Sequence, residues 1–306
     1  MSDVAAQRPA RRVVVSAPAK VNLHLEVLRL RPDGYHEIET VFQPLSLCDT
    51  LAVTLRATGP DARGLRLRVE PADAAPAGEE NLCWQAVRAF AQATGHHGDL
   101  EIDLHKEIPA GAGLGGGSSD AAAVLVALNR LFDAGLDVPD LERLGAQVGS
   151  DVPFFIRGGT QVGRGRGTIL TPVTAIRTGV FLLVKPPLAI ETARVYSQLK
   201  MGLTVRGPKC NIRQLKALIA RFPSSSWFGF NRLEEVVLPA YPVIQRLVLR
   251  LKELAPIALL TGSGAAAVGV FDERSWDPRL REEFDVPDWF VRVVEARRVG
   301  VEITEE

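Results

Sequence analysis

The chain of 306 residues is 46% hydrophobic and 24% charged, the balance of an ordinary globular protein, and at about 150 residues per domain its length predicts two domains. Its 36 Lys and Arg equal its 36 Asp and Glu, which argues against a protein that coats nucleic acid. Cys48, Cys83 and Cys210 are odd in number and form no C-x-x-C pair, so no disulfide framework is expected and a reducing cytoplasm is.

The first residues, MSDVAAQRPARR, lack the apolar core of a secretory signal, and the longest apolar run, residues 121–128, is far too short to span a membrane. Residues 13–15 are a β-rich run. Lys20 follows the break at Pro18 and heads an alternating Val21, Leu23, Leu25 strand, with Asn22 on its own face because side chains two apart point the same way. Taken alone, a lysine at a strand start is expected to be solvated. Tyr35 and His36 follow the turn-forming Pro32-Asp33-Gly34. An aromatic beside a histidine can stack on a nucleobase and bind its edge, and a hairpin with one packed tyrosine accounts for the pair equally well. Residues 57–80, rich in Gly, Pro, Ala and Asp around LRLRVE, read as a surface hairpin ending in a loop. His96 and His97, between Gly95 and Gly98, read as an exposed turn, and no histidine has zinc-ligand spacing. Leu100, Ile102 and Leu104 alternate with acids, the pattern of a half-buried strand.

The most informative segment comes next, PAGAGLGGGSSD at residues 109–120. Five of its residues are glycine, it follows a strand, and it leads into a helix marked by Ala121, Val124, Leu125 and Leu128. A backbone so bare, with the unpaired N–H groups of a helix start, is a site for phosphate. A tight turn needs fewer glycines. Ser118 or Ser119 is the expected N-cap, and Gly135 stands past the helix end. Gly111, Gly113 and Gly116 satisfy G-x-G-x-x-G, but Asp133 falls at the helix end rather than after a second strand, which breaks dinucleotide-fold geometry. The loop also approaches the P-loop pattern, with Gly117 where the lysine must stand. Neither standard nucleotide fold fits.

Asp151, in GSDVPFF, is a helix-end or turn residue if taken alone; between a Gly-Ser pair and an apolar run it also suits a partly buried general base. Residues 157–167, RGGTQVGRGRG, read as a solvated loop rather than an RNA contact. A domain boundary is expected between residues 163–167 and the β-rich run at 180–184. Residues 203–230 read as an irregular, partly basic connection. In LTGSGAAA, residues 260–267, small residues would let a backbone pack against the first loop or touch a phosphate. Residues 289–294 form one strand in a charged C-terminal stretch.

In this order PAKVNL, PAGAGLGGGSS and TGSGAAA resemble the three motifs of the galactokinase, homoserine kinase, mevalonate kinase and phosphomevalonate kinase superfamily, and the resemblance runs from about Val13 to Phe271. It implies an α+β fold of two domains: an S5-like α/β ATP-binding domain at 1–170, and a ferredoxin-like domain at 171–306 that completes the substrate cleft. Together with RPDGYHE and SDVPFF it further implies a kinase that uses ATP and Mg²⁺ to phosphorylate a tertiary-centre hydroxyl of a cytidine diphosphate-linked polyol, in the non-mevalonate isoprenoid route. By the same resemblance Lys20 and Asp151 are the catalytic pair, with Lys20 supplying charge that the lysine-free loop lacks. Pro109, Ala110, Gly111, Ala112, Gly113, Leu114, Gly115, Gly116, Gly117, Ser118 and Ser119 hold the ATP phosphates, with Ser118 or Ser119 as Mg²⁺ ligand, and Asn81 lies on the adenine side. Tyr35, His36 and Tyr196 map onto a cytidine pocket, with Asn22 and Thr192 near the substrate. The implied enzyme is cytoplasmic, a monomer or homodimer, with no nucleic-acid or membrane partner.

Three rivals stand beside this reading. A homoserine or mevalonate kinase of the same superfamily leaves Tyr35 and His36 without a nucleobase to bind. A nicotinamide-dependent oxidoreductase suffers from the position of Asp133, and a noncatalytic nucleotide- or RNA-binding protein has no use for Lys20 and Asp151. The chain also departs from the superfamily pattern: Ala265-Ala266-Ala267 replaces a bulkier run, Arg232 an acid, and Glu191 a small polar residue.

Overall fold

A computed structural model describes residues 10–59, 62, 64–176, 179–199, 222 and 229–306. Two long strands, β1 (Arg11–Leu30) and β2 (His36–Thr58), run antiparallel from the tight turn at Pro32-Asp33-Gly34. They are the centre of an eight-stranded sheet with the order β12-β1-β2-β4-β3, to which β5, β6 and β8 add at the ends of the two long strands. The remaining strands of this sheet are β3 (Leu65–Glu70), β4 (Gly98–His105), β5 (Gln161–Gly165), β6 (Ile169–Pro172), β8 (Phe230–Asn231) and β12 (Glu302–Glu305). A second, antiparallel sheet has the order β11-β7-β10-β9, from β7 (Val180–Lys185), β9 (Ile257–Leu260), β10 (Ala267–Phe271) and β11 (Phe290–Glu295). In chain order its strands lie fourth-first-third-second, the ferredoxin-like arrangement.

Four layers result. Helices α1 (Leu82–Thr94), α2 (Gly116–Leu131), α3 (Val138–Val148) and α4 (Val152–Arg157) cover one face of the large sheet, where Ala121, Val124, Leu125 and Leu128 meet Val13, Val15, Leu51 and Ile102. Between the sheets, Val21 and Leu23 of β1 pack with Phe181, Leu183, Leu259 and Val268. On the far side Leu182 and Val184 meet Ile244, Leu247, Val248 and Leu251 of α7 (Pro242–Leu254), beside α5 (Thr192–Gln198), α6 (Glu234–Ala240) and a 3₁₀ helix at Pro278–Phe284. Because β7 is buried on both faces, it reads as a continuous apolar run rather than an alternating one. No helix among the described residues is long and apolar enough to cross a membrane.

Several sequence expectations change here. Residues 57–80 are not a hairpin: β3 pairs parallel with β4, which lies between it and β2. A strand-like run declares its propensity but not its partner. The N-cap of α2 is Gly115, at φ +76°, so Ser118 and Ser119 fall inside the first turn. The stretch at 161–165 is a strand paired with β2, not a free loop. β1 passes through Pro18 without breaking, because the register shifts between Pro18 and Lys20 and a bulge tolerates the missing N–H. The chain also does not divide cleanly at 170, since β8 and β12 from the later half hydrogen-bond into the large sheet. Most of the expected basic connection at 203–230, with Cys210, lies outside the described residues.

The segment leading into the last strand bears on the site. Val301 N–H donates to the Phe155 carbonyl at 2.9 Å, and a Cβ on Gly300 would stand 1.8 Å from that same oxygen. The tail is thus docked on α4, the helix that Asp151 begins.

Candidate active site

One cleft of about 1250 Å³ opens between the large sheet, the start of α2 and α5. It gathers side chains that are far apart in sequence: Lys20, Asn22, Tyr35, His36, Asn81, Asp151, Thr192 and Tyr196, with every residue from Pro109 to Ser118. Ser119 is the exception, because its hydroxyl is fully buried beneath the loop with no hydrogen-bond partner.

From Val13 to Val27 the odd-numbered side chains of β1 are apolar and buried, as alternation predicts, but the even-numbered Lys20, Asn22, His24 and Glu26 are buried too. Lys20 is therefore not a solvated strand-start lysine. Its Nζ donates to Asn22 Oδ1 at 2.7 Å, lies 5.6 Å from the Phe42 ring centre, and stands 3.5 Å from Asp151 Oδ2. Asn22 in turn donates to Thr40 Oγ1 at 2.8 Å, and Thr40 donates to the His24 carbonyl at 2.7 Å. The ammonium is thus fixed from behind. Asp151 is the residue before α4 and its side chain makes no capping hydrogen bond there. It keeps 29% side-chain exposure toward the cleft. A carboxylate that is held near a lysine and still reachable is suited to take a proton from a bound hydroxyl.

The glycine loop runs between β1 and the turn after β9. Lys20 N–H donates to the Leu114 carbonyl at 2.9 Å, while Ala265 and Ala266 donate to Gly111 and Ala112, each at 3.1 Å. A Cβ on Gly113 would lie 2.1 Å from the Thr261 carbonyl oxygen, and Gly113 also sits at φ +74°, so only glycine fits that seam. The small residues at 265–267 allow the close backbone approach between the two loops. No side chain caps α2, so its first-turn N–H groups at Gly116, Gly117 and Ser118 line the cleft unspent.

On one side of the loop, Asn81 caps α1 by accepting from Cys83 N–H at 2.9 Å. On the other, His36 and Tyr196 rings lie 5.1 Å apart, tilted by 35°. Burial holds the His36 imidazole below its usual range, which keeps it neutral near pH 7. Burial, and then the charge of Asp151, push the Tyr196 phenol upward. Thr192 shares a 2.7 Å hydrogen bond with Ser263, a cleft residue inside the LTGSGAAA segment that was not itself named as a candidate.

A second missed group is the buried set Asp49, Lys106 and Asp120. Lys106 Nζ donates to Asp49 and, at 2.7 Å, to Asp120, while Asp49 Oδ1 accepts the N–H groups of Glu107 and Ile108 at 2.6 and 2.8 Å. The Asp120 carboxyl is pushed up to about 8, chiefly by burial, with Lys106 opposing and Asp49 reinforcing. This set holds the approach to the glycine loop. Among the departures, Arg232 is buried and paired with Glu26 at 2.7 and 2.9 Å, so the charge reversal there is matched by an acid on β1. Glu191 is the exposed residue before α5, outside the cleft lining. Asp133 is exposed and paired with Arg11 at 2.7 Å, away from the glycine loop, which removes the ribose-binding acid of the nicotinamide reading. Among the described residues no three His, Cys, Asp or Glu side chains assemble as a metal site.

Residues 81–159, from the N-cap of α1 past Asp151, match the family model of the GHMP kinases N terminal domain. Over 291 residues the chain is 36% identical to 4-diphosphocytidyl-2-C-methyl-D-erythritol kinase of Geobacter metallireducens, covering 93% of this chain and 98% of that protein. The chain belongs to that kinase family. The protein of the same name from Pelotomaculum thermopropionicum is 40% identical over 84% of the chain and 88% of its own length. A crystal structure of 4-(cytidine 5'-diphospho)-2C-methyl-D-erythritol kinase superposes with a TM-score of 0.72 at 34% identity, over 93% of this chain and 98% of that one. Homoserine kinase from Cytophaga hutchinsonii, at 17% identity and a TM-score of 0.69 over 95% and 97%, shares the fold. The α+β architecture and the kinase class follow from these relations.

Proposed function

We propose that this chain transfers the γ-phosphoryl group of ATP to the 2-hydroxyl of 4-diphosphocytidyl-2-C-methyl-D-erythritol, a step of isoprenoid precursor synthesis. The observation that carries the reading is the Lys20–Asp151 pair, set between an unspent helix start and the aromatic group of Tyr35, His36 and Tyr196. Kinship with kinases named for this substrate supports it.

Phosphoryl transfer asks little covalent work of the protein, so alignment and charge neutralisation dominate. Asp151 accepts the hydroxyl proton as the oxygen attacks the γ-phosphorus, and ADP leaves. Lys20 neutralises the transferring group and keeps Asp151 in place. The bare N–H groups at Gly116, Gly117 and Ser118 receive phosphate oxygens, Asn81 lies on the adenine side, and Tyr35, His36 and Tyr196 hold the cytosine, with Asn22 and Thr192 toward the polyol. Mg²⁺ supplies charge neutralisation at the β- and γ-phosphates when bound. The residues present fit it: Ser118 lines the cleft and offers a hydroxyl, and an ion that keeps its water needs few protein ligands. In this reading residues 1–170 supply most of the ATP site and residues 171–306 complete the substrate cleft. Both substrates are water-soluble polyanions, which suits a cytoplasmic enzyme working as a monomer or homodimer.

The test is ADP release from Mg-ATP with the cytidine diphosphate-linked methylerythritol, against homoserine and mevalonate. Release with the cytidine compound alone is expected. Release with a control and not with that compound would overturn the substrate assignment.

A further inference from the structure

The substrate of the proposed reaction carries a diphosphate between its nucleobase and its polyol, yet the residues assigned above to that half of the cleft are uncharged. Among the described residues three Lys or Arg side chains line the cleft: Lys20, Lys106 and Arg166. Lys20 faces Asp151 and donates to Asn22, and Lys106 is held between Asp49 and Asp120. Arg166 has no such acid partner at ion-pair distance among the described residues.

Its surroundings are those of a cation prepared for an anion. Arg166 sits in the turn between β5 and β6, flanked by Gly165 and Gly167 at φ +68° and +95°. Its guanidinium carbon lies over the Tyr35 ring, 3.7 Å from the ring centre, a close cation–π contact. Such a contact does not use up the guanidinium N–H donors, a pair of which can hold a phosphate with two parallel hydrogen bonds. Of those donors one makes a long 3.4 Å contact with Ser150 Oγ, and Nε is buried with no partner at all. No carboxylate among the described residues forms an ion pair with this guanidinium, although Asp33, held by Arg31, lies near enough to feel its charge. A buried, unsatisfied N–H on a charged group is costly unless a ligand completes it.

The position matters as much as the chemistry. Arg166 touches Tyr35 on one side and Ser150, next to Asp151, on the other. It therefore bridges the nucleobase end and the reacting end, the interval that a diphosphate has to cross. We propose that Arg166 binds the diphosphate of the nucleotide-linked substrate and so sets the distance between the stacked base and the hydroxyl presented to Asp151. This rests on the substrate reading above.

The test is calorimetric binding of cytidine and of cytidine diphosphate, with the ATP site filled by a non-hydrolysable ATP analogue and Mg²⁺. Wild-type protein is expected to prefer cytidine diphosphate by about ten- to a hundredfold, the size of a charge-assisted bidentate contact. Arg166→Gln should reduce that preference to under about threefold while leaving cytidine and the ATP analogue bound as before. Arg166→Lys, which keeps the charge but not the fork, should fall between. A preference unchanged in Arg166→Gln would overturn the inference. So would an equal loss of cytidine and cytidine diphosphate, which would make Arg166 only a packing partner of Tyr35. Equal wild-type affinities for the two would overturn it too while sparing the cytidine pocket, and wild-type binding of neither would remove the substrate reading and this inference together.

Discussion

Two buried lysines line the same cleft in opposite circumstances. Lys20 stands 3.5 Å from Asp151, whose side chain keeps 29% exposure, and its other strong contact is a neutral amide. Lys106 lies between Asp49 and Asp120, whose side chains are 0% and 2% exposed. The first arrangement leaves an acid free to exchange a proton with a ligand. The second is closed by burial: Asp49 is held by Lys106 and two backbone N–H groups, and the Asp120 carboxyl, pushed up to about 8, keeps its own proton at neutral pH rather than taking one from a ligand. Burial of charge alone therefore does not single out a candidate for catalysis; a buried lysine whose acid partner stays open to the cleft is what sets the first pair apart.

The largest expected effect is on the open pair. Asp151→Asn should lower turnover by about 10²–10⁴-fold, the usual range for a lost general base, while the KM for ATP and the stability to urea stay near wild type. The closed set should answer in the opposite currency. Lys106→Met leaves two buried carboxyl groups without their cation and should cost about 3–5 kcal/mol of stability, read by urea unfolding. If Lys106→Met instead kept full stability and lost only turnover, the contrast between the two lysines would fail.

A smaller effect sharpens the same contrast through pH. The Asp120 carboxyl in the folded chain lies near 8 against an ordinary 3.8, so its contribution to stability is complete below about pH 4 and is lost as pH rises through about 8. Asp120→Asn removes that proton and should flatten the stability profile across this interval, measured by urea midpoints at several pH values. An unchanged slope would show that another group controls it.

Much of the site was legible because its residues sit in tight local runs. PAKVNL carries Lys20 and Asn22, PDGYH carries Tyr35 and His36, and the glycine loop is one segment. The Lys106 set was not legible, since its partners lie 57 and 14 residues away and nothing in KEIP marks a buried lysine. Arg166 was hidden for a related reason: a glycine- and arginine-rich run looks solvated until its pairing with β2 is known. Alternation along β1 marked the strand correctly but implied a wet polar face, and segments distant in sequence bury it: the glycine loop over Lys20, β8 beside His24 and Arg232 on Glu26. Pairing was the weakest inference of all, as the parallel partner of β3 and the return of β12 to the first sheet show. Local patterns report conformation; partners are chosen by contacts across the whole chain.

The central claim is that the open Lys20–Asp151 pair performs the transfer, and a rapid-quench single turnover tests it most directly. Asp151→Asn loaded with Mg-ATP and the cytidine diphosphate-linked methylerythritol should bind both yet form ADP at least about a hundredfold more slowly than wild type. ADP formed at the wild-type rate in that variant would contradict the account.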